Sequence, residues 1–165
     1  IFPDFVNITE DPTLSNGSAT RPYDSEGVLT QKKDIIENGI LKTYLLDTYA
    51  ARKLKSKCTG NGVLTNILVS SKEPVSNLLK TMKDGLYITD MMGSGANLLT
   101  GDYSRGAFGY LVKDGEIQYP VTEITVASNL LQMFENIISI GDDIDKRNRI
   151  RTGSMLIDNI TIGGT

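Results

Sequence analysis

The chain has 165 residues, of which 39% are apolar and 22% charged. That is long enough to bury roughly 70% of its unfolded surface and build a true core as one domain or a large piece of one. A net charge of −3, with no aromatic ladder beside the basic stretch Arg52–Lys57, argues against nucleic acid as a partner. No apolar run reaches the length of a bilayer span, and the single cysteine, Cys58, forms no internal bridge, which favours the cytoplasm.

In chain order, the strand-like segment Phe2–Ile8 comes first, with no leader pattern before it. It reads as the inside of a folded region, so 1–165 is expected to be a C-terminal fragment of a longer protein whose upstream domains are absent. Lys32–Glu37 and Ile40–Leu46 flank Asn38-Gly39, the pair best suited to the positive φ angles of a type I′ turn, and predict a hairpin. Asp47 offers an N-cap for a short helix through Tyr49, Ala50, Lys53 and Leu54, ending near Gly60-Asn61-Gly62. The cations at its end oppose the negative pole of the helix, a solvated-surface role for that basic patch.

Val63–Val69 reads as a strand. A helix beginning at Ser71 or Lys72 places Pro74 in its first turn, where the missing N–H costs little. Val75, Leu78, Leu79 and Met82 repeat at helical spacing and Gly85 supplies a stop. Leu86–Met91 is the next strand, and Phe108–Lys113 pairs with Glu116–Tyr119 across Asp114-Gly115. Val121–Val126 extends the sheet. Asn129–Ile138 reads as a helix with Leu130, Met133, Phe134 and Ile137 inward, and Met155–Ile162 as a closing strand. The two hairpins outweigh any βαβ pattern, so the fold class is α+β: mainly antiparallel sheet with β-hairpins and about three short helices.

The decisive chemical fact is negative. There is no histidine, which removes Ser-His and Cys-His nucleophiles and the imidazole ligands of common catalytic zinc sites. Cys58 lies before Thr59-Gly60-Asn61-Gly62 with no base to activate it and reads as an incidental thiol. Asp142-Asp143-Ile144-Asp145 departs from the EF-hand pattern at Arg147 and Asn148, and reads as a solvated loop with Lys146, Arg147, Arg149 and Arg151 offsetting its charge. Gly93-Ser94-Gly95 imitates the start of a dinucleotide fingerprint, but Leu98 occupies the third glycine position.

More informative is the run from Met92 to Gly109, in which Gly93, Gly95, Gly101, Gly106 and Gly109 permit unusual backbone angles or close approach of a second backbone, from a neighbouring strand or a bound peptide. Gly93, Ser94, Gly95, Asn97, Thr100, Gly101 and Asp102 form the candidate substrate-binding set. Beside them an Asp102–Arg105 pair offers a charge-assisted brace for the loop. A site wall and a braced turn look alike at this stage.

This run, continued through Asp114-Gly115-Glu116-Ile117-Gln118-Tyr119-Pro120-Val121-Thr122-Glu123-Ile124-Thr125 and preceded by Arg21-Pro22-Tyr23-Asp24-Ser25-Glu26-Gly27-Val28, resembles the PmbA (TldE) branch of the TldD/PmbA metallopeptidase family. The resemblance covers nearly the whole chain. It implies a cytoplasmic peptidase acting on unfolded or leader peptides, including maturation of a modified peptide antibiotic and degradation of an antitoxin; an older description of the family is modulators of DNA gyrase. In the TldD branch it implies a His-Glu-x-x-x-His helix and a tail cysteine that hold zinc, with the glutamate as base.

The histidine motif would lie upstream of Ile1, and between Gly141 and Gly153 this chain has no cysteine. The resemblance therefore implies a subunit with no catalytic or metal residues of its own and no cofactor in this chain, with zinc in a TldD-type partner. It further implies a homo- or hetero-oligomer that presents an extended peptide, by strand addition near the glycine-rich run. Two rival readings stand beside it. One is a homo-oligomeric peptide-binding or scaffolding protein without a proteolytic partner; the other is an enzyme acting alone through a site near Asp102.

Overall fold

The computed structural model describes residues 1–164 and divides the chain into two compact units, the first formed by 1–71 and 143–153, the second by 72–142 and the segment from Ser154 onward. The fold is α+β and mainly antiparallel, as the hairpins predict.

In the first unit, β1 (Ile8–Asp11) runs between β2 (Lys33–Glu37) and β4 (Asn66–Val69), antiparallel to both, with β3 (Ile40–Leu41) outside β2 and β9 (Ile150–Arg151) parallel to β4. Asn38 and Gly39 take φ of 49° and 74°, the two left-handed positions of a type I′ turn. The hairpin's second arm is shorter than the expected 40–46. Both Lys42 and Thr43 N–H groups point at the Ile35 carbonyl, which ends the ladder. Leu46 then exchanges bonds with Thr59: its N–H donates to Thr59 Oγ1 at 2.7 Å and its carbonyl accepts from Thr59 N–H at 3.0 Å.

Asp47 caps α1 (Thr48–Lys53) by accepting from Ala50 N–H at 2.6 Å. The expected strand over 63–69 starts only at Asn66, because Gly62 and Thr65 spend their N–H groups on the Asp24 and Glu10 carboxylates. Val6, Ile36, Leu46, Ala51, Ile67 and Val69 are buried apolar residues of this unit.

The second unit begins with α2 (Val75–Met82), whose N-cap position is Pro74 rather than a site inside the first turn. Its stop is Lys83, at φ 60°, while Gly85, the expected stop, opens β5 (Gly85–Met92). β6 (Asp102–Lys113) starts well before the expected Phe108, and β7 (Glu116–Asn129) is one long strand where two were expected. The turn between them holds Asp114 at φ 53° and Gly115 at φ 78°. A bulge at Glu123, itself at φ 55°, sets two residues of β7 against one of β6.

α3 is Leu130–Glu135, β8 Ile137–Ile140, β10 Met155–Ile157 and β11 Thr161–Gly163. The helix expected through Ile138 stops early because Ile137-Ile138-Ser139-Ile140, with three β-branched isoleucines, pairs with β10. The closing strand is broken at Asn159, φ 56°, so that β10 joins β8 and β11 joins β7. The sheet order β11-β7-β6-β5 puts Ala107, Ile124 and Val126 at the buried centre, packed by Leu86, Ile88, Met91, Tyr103, Val121 and Ile160. Pro120 lies in the part of β7 that β11 does not cover, where an absent N–H is tolerated.

Candidate functional site

The glycine-rich run is a second, smaller hairpin built onto the end of β5. Gly93, at φ 70°, turns the chain out of the strand. Residues 95–97 then pair with 102–104: Ser104 N–H donates to the Gly95 carbonyl and Asn97 N–H to the Asp102 carbonyl, each at 2.8 Å, with a bridge between Ala96 and Tyr103. Gly95 is required at its position because a Cβ there would collide with the Ser104 carbonyl oxygen.

Leu98-Leu99-Thr100-Gly101 forms the tip. Asn97 Oδ1 accepts from Leu99 N–H at 3.0 Å and Thr100 N–H at 3.4 Å, and the Asn97 carbonyl accepts from Gly101 N–H at 2.8 Å. Thr100 Oγ1 donates to Asp102 Oδ2 at 2.6 Å. The far side of the tip is held by the start of α3: Leu130 N–H donates to the Gly101 carbonyl at 2.7 Å and Asn129 Nδ2 to the Thr100 carbonyl at 3.1 Å, while Asn129 Oδ1 caps the helix at Leu131 N–H.

Of the seven candidate residues, Ser94, Gly95, Asn97 and Asp102 meet around one shallow pocket, with Ala96 and Ser104. Gly93, Thr100 and Gly101 lie outside that lining, one turning the chain and two tying the tip to α3. The Asp102–Arg105 brace is not formed. Arg105 donates instead to the Met91 carbonyl at 3.0 Å and the Met92 carbonyl at 3.3 Å. Because both residues sit in β6, an odd separation of three sends their side chains to opposite faces.

A larger feature of the same unit is a half-open apolar cavity of about 670 Å³ between α2, β5 and the β10 segment; Leu79, Met82, Ile88, Met133, Ile138 and Leu156 line it. β5, which walls it, has β6 as its one ladder neighbour among the described residues. Its other edge therefore presents backbone donors and acceptors in the manner that strand addition uses.

The first unit holds a group that sequence reasoning missed. Glu10, 1% exposed, accepts from Lys33 Nζ and Asn61 Nδ2, each at 2.7 Å on Oε2, and from Thr65 N–H and Oγ1, each at 2.9 Å on Oε1. Burial pushes this carboxyl up, but Lys33, Asn61 and Thr65 together outweigh it and hold Glu10 below the ordinary glutamate value. No local signal marks it: the partners lie 23, 51 and 55 residues away.

Among the described residues, Asp24, Glu26 and Cys58 are the one group with enough donor atoms close together to invite a metal, all within 4.8 Å of one another. They do not fit a peptidase zinc. Asp24 accepts from the Glu26, Val28 and Gly62 N–H groups. Glu26 accepts from Thr48 N–H and Oγ1 at the start of α1, and the Cys58 thiol is turned onto the Leu46 carbonyl at 3.3 Å. Each donor already closes a loop, and no imidazole exists to complete the set. In the acidic tail, Asp145 is bound to Arg147 N–H, Nε and Nη2 and to Asn148 Nδ2. No helix of the described residues is long and apolar enough to cross a membrane.

Comparison with known proteins gives this architecture its place. A metalloprotease PmbA homologue of Buchnera aphidicola (subsp. Baizongia pistaciae) is 48% identical over 99% of this chain and 37% of its own length. A metalloprotease TldD homologue of Buchnera aphidicola (subsp. Acyrthosiphon pisum) is 29% identical over 100% of this chain and 40% of its own length. The crystal structure of a candidate modulator of a DNA gyrase from Thermotoga maritima superposes with a TM-score of 0.88 at 34% identity, over 98% of this chain and 40% of that one. The chain thus spans about two fifths of the proteins it matches. A family model described as the PmbA/TldA metallopeptidase C-terminal domain matches residues 1–164, and the chain belongs to that family.

Proposed function

We propose that this chain serves in a cytoplasmic peptidase complex as a PmbA-type subunit without a zinc of its own, the hydrolytic zinc being held by a TldD-type partner. The observation that carries the reading is the donor set. A chain with no histidine, whose single thiol is turned onto a backbone carbonyl, has no imidazole and no open thiol to build the His/Cys ligand set that the resemblance assigns to the zinc of the other branch. The TldD homologue related over the full length of this chain makes a paired assembly of two like domains a natural arrangement.

Within it, this chain's part is to hold an unfolded or leader peptide in extended form. The open edge of β5 supplies backbone groups for an added strand. The pocket of Ser94, Gly95, Asn97 and Asp102 at the end of that edge supplies polar contacts for the peptide's main chain. Such binding reads backbone rather than sequence, which suits a complex that takes unfolded substrates.

The test is to purify the protein alone and together with a TldD-type subunit, and to assay cleavage of an unstructured peptide with and without a zinc chelator. Activity is expected in the mixture and not in the lone protein. Chelator-sensitive hydrolysis by the lone protein would refute the division of labour.

A further inference from the structure

The chain contains the pairs Asn16-Gly17, Asn38-Gly39 and Asn61-Gly62. Asparagine is thermolabile, because the backbone nitrogen of the next residue can close a five-membered ring on its side-chain carbonyl carbon. Glycine in that next place leaves the nitrogen unhindered. The surroundings of the three pairs differ. Asn16 and Asn38 sit in turns at φ 57° and 49°, and the Gly17 and Gly39 N–H groups donate to the Leu14 and Val6 carbonyls, which take up no proton.

At Asn61-Gly62, side chains from distant parts of the first unit meet the atoms that ring closure uses. The Gly62 N–H donates to Asp24 Oδ2 at 2.8 Å. Burial pushes the Asp24 carboxyl up, but the Gly62, Val28 and Glu26 N–H groups together outweigh it and hold it below the ordinary aspartate value, so at neutral pH it is ionised and able to accept a proton. Asn61 Oδ1 accepts from Lys33 Nζ at 3.0 Å and from Thr59 Oγ1 at 2.8 Å, the shortest of the three acceptors within reach of that hydroxyl. Asn61 Nδ2 donates to Glu10 Oε2 at 2.7 Å; a carboxylate that only accepts and an ammonium that only donates fix which way the amide points. Asn61 and Gly62 are both half-buried, which leaves them open to water.

A carboxylate on the attacking nitrogen and two donors on the carbonyl oxygen are the parts of a site that cleaves an amide. We propose that Asn61-Gly62 is a self-modifying site, at which the chain converts its own asparagine to aspartate or isoaspartate. Asp24 takes the Gly62 proton, the Gly62 nitrogen bonds to Asn61 Cγ, and Lys33 and Thr59 meet the charge that develops on Oδ1. The Cγ–Nδ2 bond then breaks, a proton returns to Nδ2, and ammonia leaves a succinimide behind. Water is the co-reactant that opens the ring, at either carbonyl. The aspartate form sets a new carboxylate beside Glu10, so that Lys33 faces two mutually repelling charges.

The site owes nothing to the peptidase reading, and its test needs no partner, so the two stand or fall separately. The purified protein is incubated at neutral pH, folded and, in parallel, unfolded in urea. Its fragments are followed by mass spectrometry that tells isoaspartate from aspartate. Asn61 should convert at least about 10-fold faster folded than unfolded, within the roughly 10²–10⁴-fold that a positioned base supplies, by way of a species one ammonia lighter. Asn16 and Asn38 should convert more slowly folded than unfolded. Asp24→Asn and Thr59→Val, each checked for an intact fold by circular dichroism, should slow Asn61 by about 10-fold or more and leave Asn16 and Asn38 unchanged. Should either variant fail to fold, the folded and unfolded rates of the wild-type protein decide.

An Asn61 that converts no faster than in the unfolded chain overturns the proposal, because the same contacts then hold the amide still. Variants that convert as fast as wild type overturn it as well. A species one ammonia lighter whose fragments join Lys33 to residue 61 overturns it in favour of the lysine amine as the nucleophile.

Discussion

Replacing Glu10 by glutamine isolates the energetics of the buried network in the first unit. The carboxylate is 1% exposed and its side chain faces that of Lys33, 11% exposed, at 2.7 Å. Glutamine keeps the shape but removes the charge, leaving the largely buried Lys33 ammonium without its counter-charge and with neutral acceptors only, Asn61 Oδ1 at 3.0 Å among them. Its amide group must also point at donors on one side, either Lys33 and Asn61 or Thr65. Breaking one partner of a buried pair costs about 3–5 kcal/mol, a large part of the stability of a typical domain.

Urea denaturation followed by circular dichroism should show this loss at an unchanged m-value, with faster exchange of the Thr65 amide. Adding Lys33→Met should recover at least about 2 kcal/mol of it, because the stranded cation is then gone and the introduced side-chain amide can donate to the Asn61 Oδ1 that Lys33 has vacated. The pH dependence has a definite sign. Glu10 is held below its ordinary value of 4.5, so its contribution is fully present above that value and is lost as pH falls through the lower folded value. The gap between wild type and Glu10→Gln should therefore be flat above about pH 4.5 and narrow below it. A loss under about 1 kcal/mol, as an exposed pair would give, or a double variant no better than Glu10→Gln, would refute the reasoning.

Asp47→Ala removes the cap on Ala50 N–H and should cost about 1 kcal/mol in the same denaturation assay. Gly95→Ala places a methyl group against the Ser104 carbonyl and should cost about 1–3 kcal/mol, with loss of hydrogen-exchange protection at Asn97 and Ser104. Gly93→Ala meets no neighbour but sits at φ 70°, so its cost should be the left-handed penalty of about 1–2 kcal/mol with the stem amides still protected. Asn129→Ala removes the cap on Leu131 and the bond to the Thr100 carbonyl together. It should loosen the hairpin tip and the first turn of α3 in one step, read as faster exchange at Gly101 and Leu131.

What was legible in the sequence follows the range of the interactions. Asn38-Gly39 and Asp114-Gly115 each carry the whole reason for their turn in two residues, and Asp47 the reason for its cap within a few. These features stand where expected. Element ends are set at long range and were misplaced. Thr59 takes Leu46, which the expected second arm included, out of the hairpin, β10 decides that Ile137 begins a strand, and Lys83 takes the left-handed position that Gly85 was expected to hold because Gly85 is needed in the ladder with Val112. The Glu10 network is the extreme case, a carboxylate whose four partner atoms come from three residues in two distant segments.

The candidate site divides along the same line. A run of glycines announces a backbone device, and Gly95 against Ser104 is such a device; the gathering of Ser94, Gly95, Asn97 and Asp102 follows from pairing 95–97 with 102–104. The Asp102–Arg105 pairing failed for a reason of parity. Three residues apart is a good spacing in a loop or on a helix, but in a strand it puts the two charges on opposite faces, and the strand begins at Asp102 rather than Phe108. One misplaced boundary thus changed the chemistry assigned to the loop.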